Sequence, residues 1–147
     1  MPYHFVDDAP TADIGFVASG KTLEDCFTAA ADATLKAMLS NPESLRPAER
    51  LPLAVDADSV EMALLRMLEE MIFHKDARGL FLRPGDVRIE HTEGGGQERW
   101  CVRGTMTGEA IDGQRHDLAG DVKAVTLHQL SVRRTEAGWE ARVVLDI

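Results

Sequence analysis

The sequence predicts an α+β domain in which two main helices pack against one largely antiparallel, curved β-sheet. Three patterns predict this class. Apolar residues alternate with other residues near both ends of the chain, as in half-buried strands. Two segments in the first half repeat apolar residues at the three-and-four spacing of helices, and β-type segments separated by turn residues predominate from Leu80 onward. With 147 residues and 44% hydrophobic content, we expect a single domain spanning residues 1–147.

The first strand and the first helix follow one another near the N-terminus. In "DIGFVAS", Ile14, Phe16 and Ala18 fall on one side, so Asp13 is expected on the face opposite the core. The segment "KTLEDCFTAAADATLKAML" then has helical periodicity. Thr22 is its predicted N-cap, and Asn41-Pro42 is its predicted stop.

A short strand and a second helix come next. The strand "RLPLAV" contains Pro52, which is tolerated only at the edge or the start of a sheet strand. The segment "DADSVEMALLRMLEEMIFHKDARG" is expected to begin at Asp58, with Glu61 three residues later, and to end near Gly79. Its apolar residues cover most of the circumference, which predicts the central buried helix.

The second half of the chain reads as β structure. Gly94-Gly95-Gly96 separates two strand-like segments and predicts a hairpin. A further β segment, "HDLAGDVKAVTLHQLSVRRT", leads through "EAG" into a final strand. In that strand, Trp139 to Ile147 alternate so that Asp146 points away from the core, as Asp13 does.

Composition and missing motifs exclude several function classes. The formal net charge of −9 disfavours broad electrostatic binding of nucleic acid, so any link to RNA is expected to run through a protein partner. The N-terminus lacks the pattern of a signal peptide, and no apolar run reaches the ~20 residues of a membrane span, which predicts a cytoplasmic protein without a membrane partner. Phosphate-binding glycine loops, nucleophile elbows and zinc-protease motifs are absent.

The histidines and the acidic residues are the candidate sources of chemistry in the sequence. The five histidines have no metal-ligand spacing, so each is predicted to be a surface or packing residue. Asp13 and Asp146 each lie between apolar neighbours in a strand. If their strands are adjacent, these carboxylates and the Ile147 α-carboxylate would form an all-oxygen set suited to Ca²⁺ or Mg²⁺. From the pattern alone, ordinary acids at strand ends are the more common interpretation, because periodicity does not establish which strands pair.

Several separated motifs, in order, resemble the archease family. They are "TADIGF", "GKTLEDCFTAA", "GEAIDGQRH", "DVKAVTLHQLSV" and the terminal "GWEARVVLDI", which together cover Thr11 to Ile147. The resemblance implies an archease-like α+β fold. It also implies a protein, not itself an enzyme, that activates a GTP-dependent RNA ligase joining 3′-phosphate or 2′,3′-cyclic phosphate ends to 5′-hydroxyl ends. That activity belongs to tRNA splicing, tRNA processing or RNA repair.

The resemblance also implies the residues of the site. Asp13, Asp146 and Ile147 would hold a divalent metal, with Ca²⁺ expected first and Mg²⁺ or Mn²⁺ as alternatives. Lys123 would be needed to activate the ligase by promoting guanylylation of the ligase histidine and multiple turnover. Archeases commonly have a histidine before Thr-Ala-Asp, whereas this chain has Pro10. Any part that histidine plays in orienting the metal ligands or in moving a proton is therefore missing or supplied elsewhere.

The sequence is also compatible with two other functions. A metal-dependent hydrolase of small phosphate esters could use the same carboxylates, with His116 or His128 as general base. A chaperone-like protein-binding module would need no metal.

Overall fold

The computed structural model describes residues 2–9 and 13–147, in which two α-helices and eight strands confirm the α+β class. Helix α1 spans Leu23–Met38 and helix α2 spans Val60–Arg78. A short 3₁₀ helix, Pro42–Ser44, follows α1. The strands are β1 (Tyr3–Val6), β2 (Ile14–Gly20), β3 (Glu49–Ala57), β4 (Leu80–Gly94), β5 (Gln97–Ala110), β6 (Ala124–Val125), β7 (Ser131–Thr135) and β8 (Gly138–Asp146).

The strands form two antiparallel sheets, not the one predicted. A five-stranded sheet has the order β1-β2-β8-β6, with β7 also paired to β8, and a three-stranded sheet has the order β3-β5-β4. Strand β8 is paired with β2 on one edge and with β6 and β7 on the other. No edge of β8 is therefore free to receive the second sheet. Periodicity predicts which residues face the core, but it does not predict which strands are neighbours.

The predicted alternation in the first and last long strands is confirmed. Phe16 and Ala18 of β2 are fully buried, and so are Ala141, Val143 and Leu145 of β8. These side chains face the core that the five-stranded sheet shares with α1. The sheet face that carries them fixes the direction of every other residue on the two strands.

Helix α1 is the central buried helix, so the prediction that α2 has that position was wrong. Eleven of its sixteen residues are buried, against eight of nineteen in α2. Helix α1 contacts β2 and β8 of one sheet and β4 of the other. Its many alanines suit this position because small side chains allow close approach of both layers. The predicted N-cap is confirmed, since the Thr22 hydroxyl accepts a hydrogen bond from the Asp25 N–H at 3.0 Å.

Helix α2 begins at a different cap from the one predicted. The Ser59 hydroxyl, not Asp58, accepts the hydrogen bond from the Met62 N–H at 3.2 Å. Both residue types cap helices well, so composition does not decide between neighbours. The predicted end is confirmed, because Gly79 adopts the left-handed conformation with φ of 63°.

The hairpin and the proline-containing edge strand agree with the prediction. Strands β4 and β5 are joined by Gly95 and Gly96, whose φ values of 60° and 78° fit a two-residue turn with both residues left-handed. Pro52 lies in β3, which is an edge of the three-stranded sheet.

The segment 116–135 was predicted to be largely β but contains only the short strands β6 and β7. Gln129, with φ of 56°, and a turn hydrogen bond from the Leu130 N–H to the Leu127 carbonyl interrupt it. Within residues 2–9 and 13–147, neither helix is long and apolar enough to cross a membrane.

Candidate functional site

The two predicted aspartates lie at the same end of the five-stranded sheet. Strands β2 and β8 are antiparallel neighbours, and Ile14 pairs with Leu145 at one end of their ladder. Asp13 precedes Ile14 and Asp146 follows Leu145, so both lie just beyond this end of the ladder. Both residues are half-buried. The adjacency of these strands, which the sequence left open, is thus established.

Ile147 extends this end of the sheet into a hollow. Asp13 and Ile147 both line a concave region of about 530 Å³, together with Lys36 from the last turn of α1. Asp146 is not among the residues that line it. The side chain of Ile147 packs partly against the core, as does that of Ile14. Asp13 and Ile147 therefore share one hollow, and Asp146 adjoins it through the ladder.

The charges around the aspartates are not balanced by direct ion pairs. Over residues 2–9 and 13–147, the ion pairs within 4.0 Å include neither Asp13 nor Asp146. Lys36 brings positive charge to the hollow, but its Nζ donates to the Ser40 carbonyl at 2.6 Å. Two half-buried aspartates at one sheet end, neither of them in an ion pair among residues 2–9 and 13–147, are donors of the kind that suits a hard divalent ion. The residues present fit such an ion, with Lys36 as a charge that would weaken its binding.

Lys123 lies beside Asp146 through the backbone. Its N–H donates to the Asp146 carbonyl at 2.8 Å, and Ala124 pairs with Asp146 in the β6–β8 ladder. The Lys123 side chain is exposed. The pKa of nearby Asp121 is lowered, mainly by a hydrogen bond from Lys75 and to a lesser extent by the charge of Lys123. The structure thus brings the four predicted site residues to one end of one sheet.

One wall of the hollow is made by a loop that pairs with the end of α1. The Ala119 N–H donates to the Met38 carbonyl at 3.0 Å, and the Gly120 N–H donates to the Ala37 carbonyl at 3.1 Å. These bonds satisfy carbonyls of the last helical turn, which have no partner within the helix. At Gly120 a Cβ atom would lie 3.3 Å from the Ala37 oxygen, so the close approach favours glycine.

A buried polar cluster fixes the chain that leads into this loop. Glu109 accepts hydrogen bonds from the Arg46 N–H at 2.7 Å and from the Arg115 guanidinium, and it contacts His116 Nε2 at 3.1 Å. Burial alone would raise the pKa of Glu109, but these three donors hold that pKa at about 2. His116 Nδ1 accepts a bond from the Asp112 N–H at 2.9 Å, so Nε2 carries the proton given to Glu109.

This cluster was missed in the sequence. Its side chains, Glu109, Arg115 and His116, lie within the "GEAIDGQRH" motif, which carries the resemblance but predicts no site residue. Glu109 and His116 are seven residues apart and give no local periodic signal, and the Arg46 backbone is 63 residues from Glu109. The cluster also bears on the hydrolase alternative. Both nitrogens of the His116 ring are engaged, so His116 has no free lone pair to act as a general base.

The sequence also singled out His128 and Pro10. His128 is exposed in the segment between β6 and β7. The departure at Pro10 lies outside the described residues, as do Thr11 and Ala12.

The fold and the motifs define the class of protein. The model of the archease protein family (MTH1598/TM1083) matches residues 3–147, and this chain belongs to that family. The protein archease of Pyrococcus furiosus is 33% identical over 138 residues, which are 93% of this chain and 94% of that protein. The protein archease of Methanopyrus kandleri is 31% identical over 147 residues, covering 100% of both chains.

Solved structures agree with this assignment. The solution structure of Methanobacterium thermoautotrophicum protein 1598 matches with a TM-score of 0.77 and 28% identity, covering 99% of each chain. The crystal structure of TM1083 from Thermotoga maritima, described as an archease and "possible chaperone", matches with a TM-score of 0.54 and 21% identity. That match covers 98% of this chain and 100% of the Thermotoga chain. The archease-like fold is therefore confirmed.

Proposed function

We propose that this archease activates a GTP-dependent RNA ligase in the cytoplasm and is not itself an enzyme. The ligase would join 3′-phosphate or 2′,3′-cyclic phosphate ends to 5′-hydroxyl ends, in tRNA splicing or RNA repair. The observation that supports the proposal is the side-by-side position of Asp13 and Asp146 at a sheet end, with Lys123 bonded to the same strand end. The net charge of −9 favours contact with RNA only through the ligase.

In this proposal Asp13, Asp146 and the Ile147 α-carboxylate hold a divalent cation. Carboxylate oxygens are the preferred ligands of Ca²⁺, which we expect first, and of Mg²⁺, and Mn²⁺ takes similar donors. The bound ion would supply positive charge close to the phosphates of GTP in the ligase. The β2–β8 ladder, which ends at Ile14 and Leu145, would hold the backbone of the two adjoining aspartates in place.

Lys123 is proposed to contribute a second positive charge toward the ligase. Its side chain is exposed, while its backbone is held by the bond to the Asp146 carbonyl at 2.8 Å. A flexible ammonium on a fixed backbone can reach a partner's anionic group without reorganising the sheet. The alternative is that Lys123 only protects the edge of the sheet from aggregation.

The activation step is tested by single-turnover guanylylation of the ligase histidine. We expect Asp13→Ala, Asp146→Ala and Lys123→Ala each to reduce stimulation. Asp58→Ala and Lys21→Ala are matched controls, because Asp58 and Lys21 are exposed and belong to other parts of the molecule. Full stimulation by all three site variants would reject the proposed site.

Metal binding is tested separately by calorimetry with Ca²⁺, Mg²⁺ and Mn²⁺. We expect Asp13→Ala and Asp146→Ala to weaken binding. A few residues appended after Ile147 should weaken binding and ligase activation with little loss of thermal stability, because the α-carboxylate would move away from the aspartates. Unchanged activity of the extended protein would show that the Ile147 α-carboxylate has no part in the site.

The same measurements distinguish the alternatives. Nucleotide hydrolysis by the purified protein alone would support the phosphate-ester hydrolase, which the engaged ring of His116 disfavours. Absence of metal binding together with suppression of aggregation of a client protein would support a chaperone-like module.

A further inference from the structure

A second group of metal-binding side chains lies near the tip of the β4–β5 hairpin. Glu93 pairs directly with Glu98, and His91 pairs with Trp100 two residues further along the ladder. Alternation along each strand places His91, Glu93 and Glu98 on the same face. All three are exposed. Spacing along the chain did not reveal the group, because Glu98 comes from the opposite strand and no second histidine takes part.

The distances suit one small ion. His91 Nε2 lies 3.0 Å from Glu98 Oε1 and 3.6 Å from Glu93 Oε1. One ligand atom from each residue lies within 4.8 Å of the others. An ion with bonds of about 2.1 Å and tetrahedral geometry requires ligand atoms about 3.4 Å apart. The two distances from the imidazole nitrogen bracket this value, and an ion would replace the present hydrogen bond between His91 Nε2 and Glu98 Oε1.

Two further features favour an ion at this position. The His91 ring stacks on Trp100 with centroids 3.8 Å apart and an interplanar angle of 7°. This contact restricts the ring before any ion binds, and it reduces the entropy lost on binding. Glu93 and Glu98 are like charges facing each other across the ladder, an arrangement that destabilises a hairpin unless a cation lies between them.

The donor set defines the class of ion. One imidazole nitrogen and two carboxylate oxygens suit borderline divalent metals such as Zn²⁺, Co²⁺, Ni²⁺ and Cu²⁺ better than Ca²⁺ or Mg²⁺, which prefer oxygen alone. Because the group is exposed, water can complete the coordination. We propose that His91, Glu93 and Glu98 form a binding site for a borderline divalent metal ion, with Zn²⁺ as the reference ion. The site shares no residue with Asp13, Asp146 and Ile147.

The test uses the full chain with two probes, Zn²⁺ by calorimetry and Co²⁺ by visible absorption. We expect His91→Ala to weaken Zn²⁺ binding at least about 10-fold, the lower end of what even indirect partners of a metal contribute. Glu93→Gln should weaken it as well. Glu90→Gln is the matched control, because Glu90 is an exposed residue of the same strand on the opposite face and the charge change is identical.

The Asp146→Asn variant separates this site from the proposed oxygen site. Zn²⁺ binding that persists in Asp146→Asn and is lost in His91→Ala supports the inference. Wild-type protein that binds neither Zn²⁺ nor Co²⁺ would overturn it. So would equal binding by His91→Ala and the wild type, or equal weakening by Glu90→Gln and Glu93→Gln. None of these outcomes depends on the ligase, so the proposed activator function can fail or succeed independently.

Discussion

Removal of the Glu109 carboxylate should destabilise the protein more than any change to a surface acid. Glu109 accepts from the Arg46 N–H, Arg115 and His116, and the residue is only 8% exposed. Glu109→Ala leaves these donors without their acceptor, and loss of one partner of a buried pair typically costs about 3–5 kcal/mol. Glu109→Gln keeps one oxygen acceptor but places an NH₂ group opposite the other donors. We expect it to lower the free energy of unfolding by about 1–3 kcal/mol.

The assay is urea unfolding followed by circular dichroism, with Glu43→Gln as control. Glu43 is an exposed acid of the short 3₁₀ helix, and its change should stay within about 0.5 kcal/mol. A destabilisation by Glu109→Ala below about 1 kcal/mol would refute the reasoning, because an unpaired buried donor alone should exceed that value.

The same carboxylate predicts a pH dependence. Its pKa is lowered in the folded state from 4.5 to about 2. The stability it provides is therefore complete above pH 4.5 and is lost as the pH falls toward 2. The free energy of unfolding of Glu109→Gln should fall less steeply than that of the wild type over this interval. Parallel curves for the two proteins would show that other carboxyls govern acid unfolding.

Three further predictions concern stability. Thr22→Ala removes the cap bonded to the Asp25 N–H and should reduce the free energy of unfolding by about 1 kcal/mol, whereas Thr22→Ser should restore it. Gly108→Ala would place a Cβ against the Phe81 carbonyl oxygen. Its melting temperature should therefore fall by more than that of Thr22→Ala. Gly95→Asn should be close to neutral and Gly95→Val should destabilise the hairpin by about 1–2 kcal/mol, because φ is 60°; equal melting temperatures for these two variants would contradict this.

Local signals were sufficient for much of the fold. The alternation around Phe16, the cap at Thr22 and the paired glycines at the hairpin each act over a few residues, and each was predicted. The cap of α2 was misplaced by one position because Asp58 and Ser59 are both competent caps and only packing selects between them.

Long-range pairing was not accessible from the sequence. That Asp13 and Asp146 adjoin the same end of one ladder depends on which strands are neighbours, and two sheets form where one was predicted. The Glu109 cluster draws the Arg46 backbone from a position 63 residues away. Such contacts depend on the tertiary fold, so no periodicity along the chain reports them.

The central position of β8 has a consequence for folding during synthesis. Helix α1, helix α2 and the three-stranded sheet come from a continuous stretch, residues 23–110, and their pairings can form as that stretch leaves the ribosome. Strand β2, by contrast, must wait for residues 139–145, to which it pairs. Until then the edge of β2 that pairs with β8 has no hydrogen-bonding partner. An unpaired strand edge is open to association with other chains. This edge of β2 should therefore stay open to association until β8 has left the ribosome and paired with it.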